Sequence, residues 1–111
     1  MTNRVVITGY GITSPIGNTP EAFWTNLEAG NSGIDVIQKF DATETGITVA
    51  GEVKDFPYDK YFVHKDKKRM DTFSIYAIYA ALEALDMAGI DPEDNALDHD
   101  RFGAIIGSGI G

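Results

Sequence analysis

At 111 residues with 43% hydrophobic side chains, the chain has the size of one ordinary domain and can bury a sizeable apolar core. It contains no cysteine, which excludes disulfides, thiolate metal sites and a thiol nucleophile within these residues. The formal net charge of -8 argues against general binding to nucleic acids or membrane surfaces, because both are themselves anionic.

The first predicted element is a short buried strand over residues 4–8. Three β-branched residues, Val5, Val6 and Ile7, run continuously into a glycine break, as in a strand that is covered on both faces. This apolar run is too short for a signal peptide, and no run reaches the roughly 20 residues of a membrane span. We therefore expect a soluble, cytoplasmic protein.

A helix is predicted after Thr19. The Thr19 side chain can cap it, Pro20 suits its first position, and Gly30 ends it. Glu21 in the first turn favours the positive end of the helix dipole. Phe23, Trp24 and Leu27 would form its apolar face.

The next predictions are a loop over residues 31–46, a strand over Ile47–Val53 and a long helix over Asp71–Ala88, closed by Gly89. Apolar residues surround nearly the whole long helix, which predicts burial on most sides. They are Phe73, Ile75, Tyr76, Ile78, Tyr79, Leu82, Leu85 and Met87. The helical spacing of Trp24, Tyr76 and Tyr79 is typical of core residues rather than of stacking on a ligand.

A second buried strand is predicted over Phe102–Ile106, immediately before the glycine-rich stretch GSGIG. A chain that turns towards a core at its end, together with a helix that is apolar on most sides, suggests one of two arrangements. Either the 111 residues are the first part of a larger fold, or a partner chain covers them.

The stretch Gly9-x-Gly11 after a predicted strand has the outline of a dinucleotide-binding turn. In such a turn the helix begins within the glycines, so that its N-terminal amides meet the pyrophosphate. Here Ser14-Pro15 intervenes, and the residue before a proline is disfavoured in helical geometry. The sequence instead favours a close-packed turn whose glycines let one backbone segment pass near another.

Four stretches, taken together, carry a resemblance. They are RVVITGYGITSPIGNT at residues 4–19, SGI at residues 32–34, KRMD at residues 68–71 and GSGIG at residues 107–111. In this order and spacing the chain resembles, from end to end, the N-terminal part of the bacterial 3-oxoacyl-[acyl-carrier-protein] synthase II family.

The resemblance implies an α/β, thiolase-like fold in which residues 1–111 form the first part of the N-terminal half. Family members are homodimers that elongate fatty acyl chains by decarboxylative condensation with malonyl-acyl carrier protein, without a cofactor. Their nucleophilic cysteine and two catalytic histidines lie downstream of the matched region. Neither His64 nor His99 occupies a catalytic motif position, so the resemblance places no catalytic residue in this chain and the chain alone is expected to be inactive.

Ile110, within GSGIG, matches a family residue that lines and gates the acyl-chain pocket, and it is the substrate-binding residue that the resemblance implies. A branched side chain between glycines can partly close an apolar tunnel that a glycine would leave open. Together with Ser14-Pro15, this isoleucine favours the type II branch over the type I branch.

The basic segment HKDKKR at residues 64–69 holds four of the nine basic residues and has a net charge of +3, which leaves -11 elsewhere. Directly before the Asp71 helix, cations are disfavoured by the helix dipole, so helix stability does not account for them. A binding partner of opposite charge would account for these cations. The family docks its acidic acyl carrier protein here, and Lys65, Lys68 and Arg69 match those positions.

Two other classes of protein remain open. A non-catalytic module could bind an acidic partner through Lys65–Arg69, whereas a nucleotide-binding oxidoreductase fragment is disfavoured by Pro15. Asp98-His99-Asp100 is interpreted as a solvated turn rather than a metal site, because no second group of ligands accompanies it. No metal site is predicted.

Overall fold

The computed structural model describes residues 2–110, which divide into two compact units. One unit is Ile12–Phe62, and the other joins the described parts of Met1–Gly11 and Val63–Gly111. No helix among the described residues is long and apolar enough to cross a membrane.

The unit Ile12–Phe62 contains the predicted first helix, α1 (Pro20–Glu28). The Thr19 hydroxyl accepts a hydrogen bond from the Ala22 amide at 3.1 Å, and Pro20 occupies the first turn, where no backbone donor is needed. Gly30 follows the helix with a φ of 70°, a left-handed conformation that glycine adopts without strain. The prediction of this helix and of both its ends is confirmed, although Trp24 is exposed rather than part of a core.

An antiparallel hairpin follows α1 in the same unit. Its strands are β1 (Ile34–Val36) and β2 (Val49–Gly51), and Ile34 pairs with Gly51 while Val36 pairs with Val49. The prediction of a continuous loop over residues 31–46 is therefore wrong, since a three-residue strand is too short to show an alternating pattern. The predicted strand over Ile47–Val53 is present in its central three residues.

Carboxylate side chains accept hydrogen bonds from backbone amides in and next to β1. The Glu52 side chain accepts hydrogen bonds from the backbone amides of Gln38 at 2.8 Å and Lys39 at 3.1 Å. A hydrogen bond from the Val36 amide and, next, the charge of Lys54 lower the pKa of Asp35 from its usual value. These contacts satisfy backbone donors that the short strands leave unpaired.

The other unit contains two helices in direct succession, α2 (His64–Arg69) and α3 (Thr72–Ala88). Met70 is extended between them, and Asp71, also extended, is the N-cap residue of α3. Gly89 ends α3 with a φ of 68°, and the Ile90 amide donates to the Leu85 carbonyl at 3.0 Å, as in a helix closed by glycine. The prediction of the long helix is confirmed.

The described residues bury α3 much less than its composition predicts. Ile75 and Tyr79 are buried and Tyr76 is half-buried, but Phe73 and Met87 are exposed. Its apolar sides are thus only partly covered within the described part of the chain.

The two outer apolar segments, residues 4–8 and residues 102–106, are not strands among the described residues, so both of these predictions are wrong. A strand is defined by the ladder of hydrogen bonds to a neighbour, and neither segment pairs with a strand within residues 2–110. Short 3-10 turns complete the described structure at Thr43–Thr45, Tyr58–Lys60 and His99–Arg101.

Candidate functional site

The basic segment forms α2, a helix of its own rather than a lead-in to the long helix. The Asp66 carboxylate accepts from the Val63 amide at 2.9 Å, and the Asp66 amide donates to the Val63 carbonyl at the same distance. These reciprocal bonds close the first turn of α2. The extended Met70 then ends the helix, its amide donating to the Asp66 carbonyl at 2.9 Å.

The helix brings the three predicted docking residues to one exposed face. Successive residues of an α-helix are turned by about 100°, so Lys65, Lys68 and Arg69 lie within an arc of about 100°. All three are exposed. Asp66, the acid of the segment, is partly buried and lies outside this arc, about 60° beyond Arg69, with its carboxylate engaged by the Val63 amide. We call Lys65, Lys68 and Arg69 the basic face.

The position of α2 corrects one step of the charge argument. Lys68 and Arg69 lie in the last turn of α2, where the negative end of the helix dipole favours cations. The dipole of α2 therefore favours them, whereas the sequence argument considered only the long helix that they precede, whose dipole disfavours cations. Lys65, by contrast, lies in the first turn of α2, so its charge is not explained by the dipole.

Ile110, the predicted pocket residue, is not enclosed by apolar side chains among the described residues. Its side chain is 97% exposed, and the neighbouring Ile105 is fully exposed. A Cβ added at Gly107 or Gly109 would meet no atom within 4 Å. The described residues alone thus form no pocket around Ile110.

An apolar groove that the sequence did not predict lies beside α3. It encloses about 560 Å³ and is lined by residues from the N-terminal segment, from α3 and from the segment that follows α3. Its lining on α3 includes Ala81, Ala84 and Ala88, and its lining after α3 includes Phe102. Alanines at helical spacing would have been the available signal in the sequence, because small side chains leave a groove open to a neighbour.

The glycines of the opening stretch approach the backbone of α3 closely. A Cβ built on Gly9 would overlap the Ala84 carbonyl oxygen, and one on Gly11 would overlap that of Ala80. No helix starts at these glycines, since α1 begins only at Pro20. The prediction of a close-packed turn is confirmed, and the geometry needed to cradle a pyrophosphate is not formed.

His99 takes part in a local turn. Its Nε2 lies 3.1 Å from the Asp94 carbonyl oxygen, and Asp98 precedes the 3-10 turn His99–Arg101. Among the described residues no group of three or more His, Cys, Asp or Glu side chains is arranged to hold a metal ion. The Asp98-His99-Asp100 stretch is accounted for by turn geometry.

The family model and the similar proteins point to the same family. The family model described as beta-ketoacyl synthase, N-terminal domain, matches residues 2–111. The 3-oxoacyl-[acyl-carrier-protein] synthase 2 of Vibrio harveyi is 49% identical over 109 residues, and that of Vibrio cholerae is 47% identical over the same length. The corresponding protein of Staphylococcus aureus strain N315 is 46% identical over 108 residues.

These alignments cover 97% of this chain but 26% of each relative, so the chain spans about a quarter of the length of the curated relatives it matches. Among solved structures, the ishigamide ketosynthase/chain length factor matches with a TM-score of 0.69 and 37% identity. That match covers 78% of this chain and 21% of the other. The chain therefore shares its fold with part of a ketosynthase structure.

Proposed function

Because the chain belongs to the family of beta-ketoacyl synthase N-terminal domains, we propose that it is the N-terminal segment of a 3-oxoacyl-[acyl-carrier-protein] synthase of type II. The complete enzyme elongates fatty acyl chains by decarboxylative condensation with malonyl-acyl carrier protein. The observation that carries this proposal is the 49% identity to the Vibrio harveyi synthase over 97% of the chain.

In this proposal the segment is the first part of the N-terminal half of an α/β, thiolase-like fold. The complete protein works as a cytoplasmic homodimer and requires no cofactor. The segment has no cysteine, so the nucleophile that carries the acyl thioester comes from the remainder of the enzyme. The contribution of these residues is scaffold, carrier docking and one part of the acyl pocket.

The basic face is the proposed docking surface for the acyl- and malonyl-loaded carrier. It concentrates exposed cations in a chain whose net charge is otherwise negative, and the acid within the same helix is engaged by the Val63 amide. Complementary charge of this kind steers the encounter and sets the orientation of the partner. Lys65 supports docking most directly, because a cation in the first turn of α2 gains nothing from the helix itself.

Ile110 is the proposed acyl-pocket residue. A nearly fully exposed isoleucine between glycines has no packing role among the described residues, which leaves it available to line a cavity completed by the rest of the enzyme. There its branched side chain would narrow the tunnel that receives the acyl chain.

The test uses the full-length protein that contains this segment, with malonyl- and acyl-carrier substrates and the condensed product measured by mass spectrometry. We expect condensation in the unaltered protein. Lys68→Glu should raise KM for the carrier about five- to tenfold and leave kcat unchanged, because reversing a charge in the basic face weakens docking and spares the chemistry.

The matched control is Lys67→Glu, which makes the same charge change on the adjacent residue, away from the centre of the basic face. Its KM should change less than about twofold, as for an exposed charge outside the contact. Equal effects of the two substitutions would count against a defined docking face. Carrier binding without condensation would instead support the non-catalytic module that binds an acidic protein.

A further inference from the structure

The basic face exists only while α2 is helical. On the helix, Lys65, Lys68 and Arg69 lie within an arc of about 100°. In an extended chain the side chains of Lys65 and Lys68 would point to opposite sides, because successive side chains alternate. A defined docking surface therefore requires the helical form of these residues.

The helix α2 is weak by itself. It has six residues, none of them fully buried, and isolated helices shorter than about 12 residues are marginal in water. Its N-cap residue, Val63, has a side chain that cannot accept a hydrogen bond and makes no cap. The first turn of α2 must therefore be satisfied by another side chain.

Asp66 supplies the acceptor that Val63 lacks. Its carboxylate accepts a hydrogen bond from the Val63 amide at 2.9 Å, and its charge lies in the first turn, near the positive end of the helix dipole. Its carbonyl accepts from the Met70 amide at 2.9 Å, where α2 ends. Asp66 thus bonds to the residues that flank α2 on both sides, and a substitution removes only the bond made by its carboxylate.

Asp66 also lies on the covered side of α2. Among residues 63–70, Asp66 and Met70 are partly buried and the others are exposed. Residues four apart share one side of a helix, so these two mark the side that is turned towards the protein. The Asp66 carboxylate can therefore order the helix while the three cations of the basic face stay open to a partner.

We propose that Asp66 is a positioning residue for carrier docking, whose carboxylate holds α2 in the form that gathers the basic face. This rests on the proposed function. Charge alone predicts that loss of this acid tightens binding of the acidic carrier. Positioning predicts weaker binding, because an unordered segment must give up conformational freedom when the carrier binds. The two effects have opposite signs, so one measurement separates them.

The experiment measures the dissociation constant of unloaded acyl carrier protein for the full-length protein, together with kcat and KM for the loaded carrier. Asp66→Ala removes the charge and the acceptor, whereas Asp66→Asn removes the same charge and keeps an oxygen that can accept from Val63. We expect Asp66→Ala to bind the carrier about three- to fivefold more weakly than Asp66→Asn, and more weakly than the unaltered protein. KM should rise with the dissociation constant, and kcat should not change. Alanine is the better helix former, so helix propensity cannot produce this order.

Two further variants make the comparison specific. Asp71→Asn is the control for charge, because Asp71 is an exposed acid close behind α2 whose side chain caps no helix among the described residues. It should bind the carrier as tightly as the unaltered protein or slightly more tightly. Asp66→Glu keeps both the charge and the acceptor, and glutamate is common at this position of a capping box. Its binding should stay within about twofold of that of the unaltered protein.

A double variant shows whether Asp66 acts through the basic face. In a protein that already carries Lys68→Glu, the addition of Asp66→Ala should weaken binding less than it does alone, since less attraction remains for the ordered helix to present. Equal effects in both proteins would mean that Asp66 acts independently of the basic face, and the positioning role would be wrong.

The outcomes separate this inference from the function on which it rests. Equal binding by Asp66→Ala and Asp66→Asn would overturn the positioning role, and so would tighter binding by Asp66→Ala than by the unaltered protein. A fall in kcat or a loss of folded protein in Asp66→Ala would equally overturn it, because the carboxylate would then support the whole fold rather than docking. In these cases Lys68→Glu would still weaken binding if the basic face is the docking surface. If Lys68→Glu had no effect, the basic face itself would be wrong and this inference with it.

Discussion

Gly9 lies against the backbone of α3 at a place where no side chain fits. A Cβ there would overlap the carbonyl oxygen of Ala84 and come within 2.9 Å of the Ala88 amide nitrogen. Both obstacles are backbone atoms of a helix, so neither can move aside by changing a rotamer. The close approach of two backbone segments is what requires glycine here.

We expect Gly9→Ala to lower the free energy of unfolding by about 1 to 3 kcal/mol, the cost of overpacking at a site that cannot relax. Chemical denaturation of the full-length protein measures this loss. The control is Gly103→Ala, since a Cβ at Gly103 meets no atom within 4 Å among the described residues. Equal losses in the two variants would show that crowding against α3 is not the cause.

At the scale of elements, α1 shows how completely a helix can be specified by neighbouring residues. The Thr19 hydroxyl caps the first turn, Pro20 fits its opening position, and Gly30 follows in the left-handed conformation that ends it. Each of these interactions joins residues within one helical turn of each other. A helix of this kind can be predicted without knowledge of what packs against it.

Thr19→Ala should therefore destabilise the protein by about 1 kcal/mol, because the Ala22 amide loses its acceptor. Thr25→Ala is the matched control: it removes the same hydroxyl from an exposed position inside α1, where alanine is the better helix former by about 0.5 kcal/mol. In thermal or urea unfolding, Thr19→Ala should be less stable than the unaltered protein. Thr25→Ala should be as stable as the unaltered protein or more stable. A similar loss in both would mean that the cap contributes little.

Strands, unlike α1, depend on residues that are distant in sequence, and this explains why the strand predictions failed. The apolar runs at residues 4–8 and 102–106 have the composition of buried strands, yet a strand exists only when a neighbour completes its ladder. The short strand β1 was missed for the opposite reason, since three residues carry no usable pattern. What depends on distant residues could not be read from local sequence.

Some features of the candidate site likewise follow from local sequence, whereas others depend on residues that are distant in sequence. That Lys65, Lys68 and Arg69 share a face follows from helical spacing within six residues, and sequence could have predicted it once α2 was recognised. The apolar groove beside α3 joins segments that are far apart in sequence, so no local pattern revealed it. Whether Ile110 lines a pocket depends on residues beyond those described, and it remains a prediction.

At the scale of the whole molecule, the dominant feature is apolar surface that the described residues leave uncovered. Val5, Ile7 and Ile110 are almost fully exposed, and Ile105 is completely so. Soluble proteins do not usually leave so many large apolar side chains in water. The chain spans about a quarter of the length of its curated relatives, so we expect the rest of the full-length protein to cover them.

Ile105→Lys tests this expectation because the substitution should be beneficial in the isolated chain, where Ile105 is exposed, and harmful in the full-length protein, where we expect Ile105 to be covered. In the isolated 111-residue chain the lysine should reduce self-association, measured by light scattering, since it interrupts an exposed apolar surface. In the full-length protein the same lysine should destabilise folding by about 2 to 4 kcal/mol, because a charge would replace a covered apolar side chain.

Glu93→Gln is the control for charge, since it also raises the net charge by one, at an exposed polar position. It should change the folding stability of the full-length protein by no more than about 0.5 kcal/mol, as is usual for surface substitutions. Self-association of the isolated chain should change equally little. If Ile105→Lys left the full-length protein as stable as Glu93→Gln does, Ile105 would be exposed there too. The apolar segment after α3 would then be a surface of the complete protein rather than part of its core.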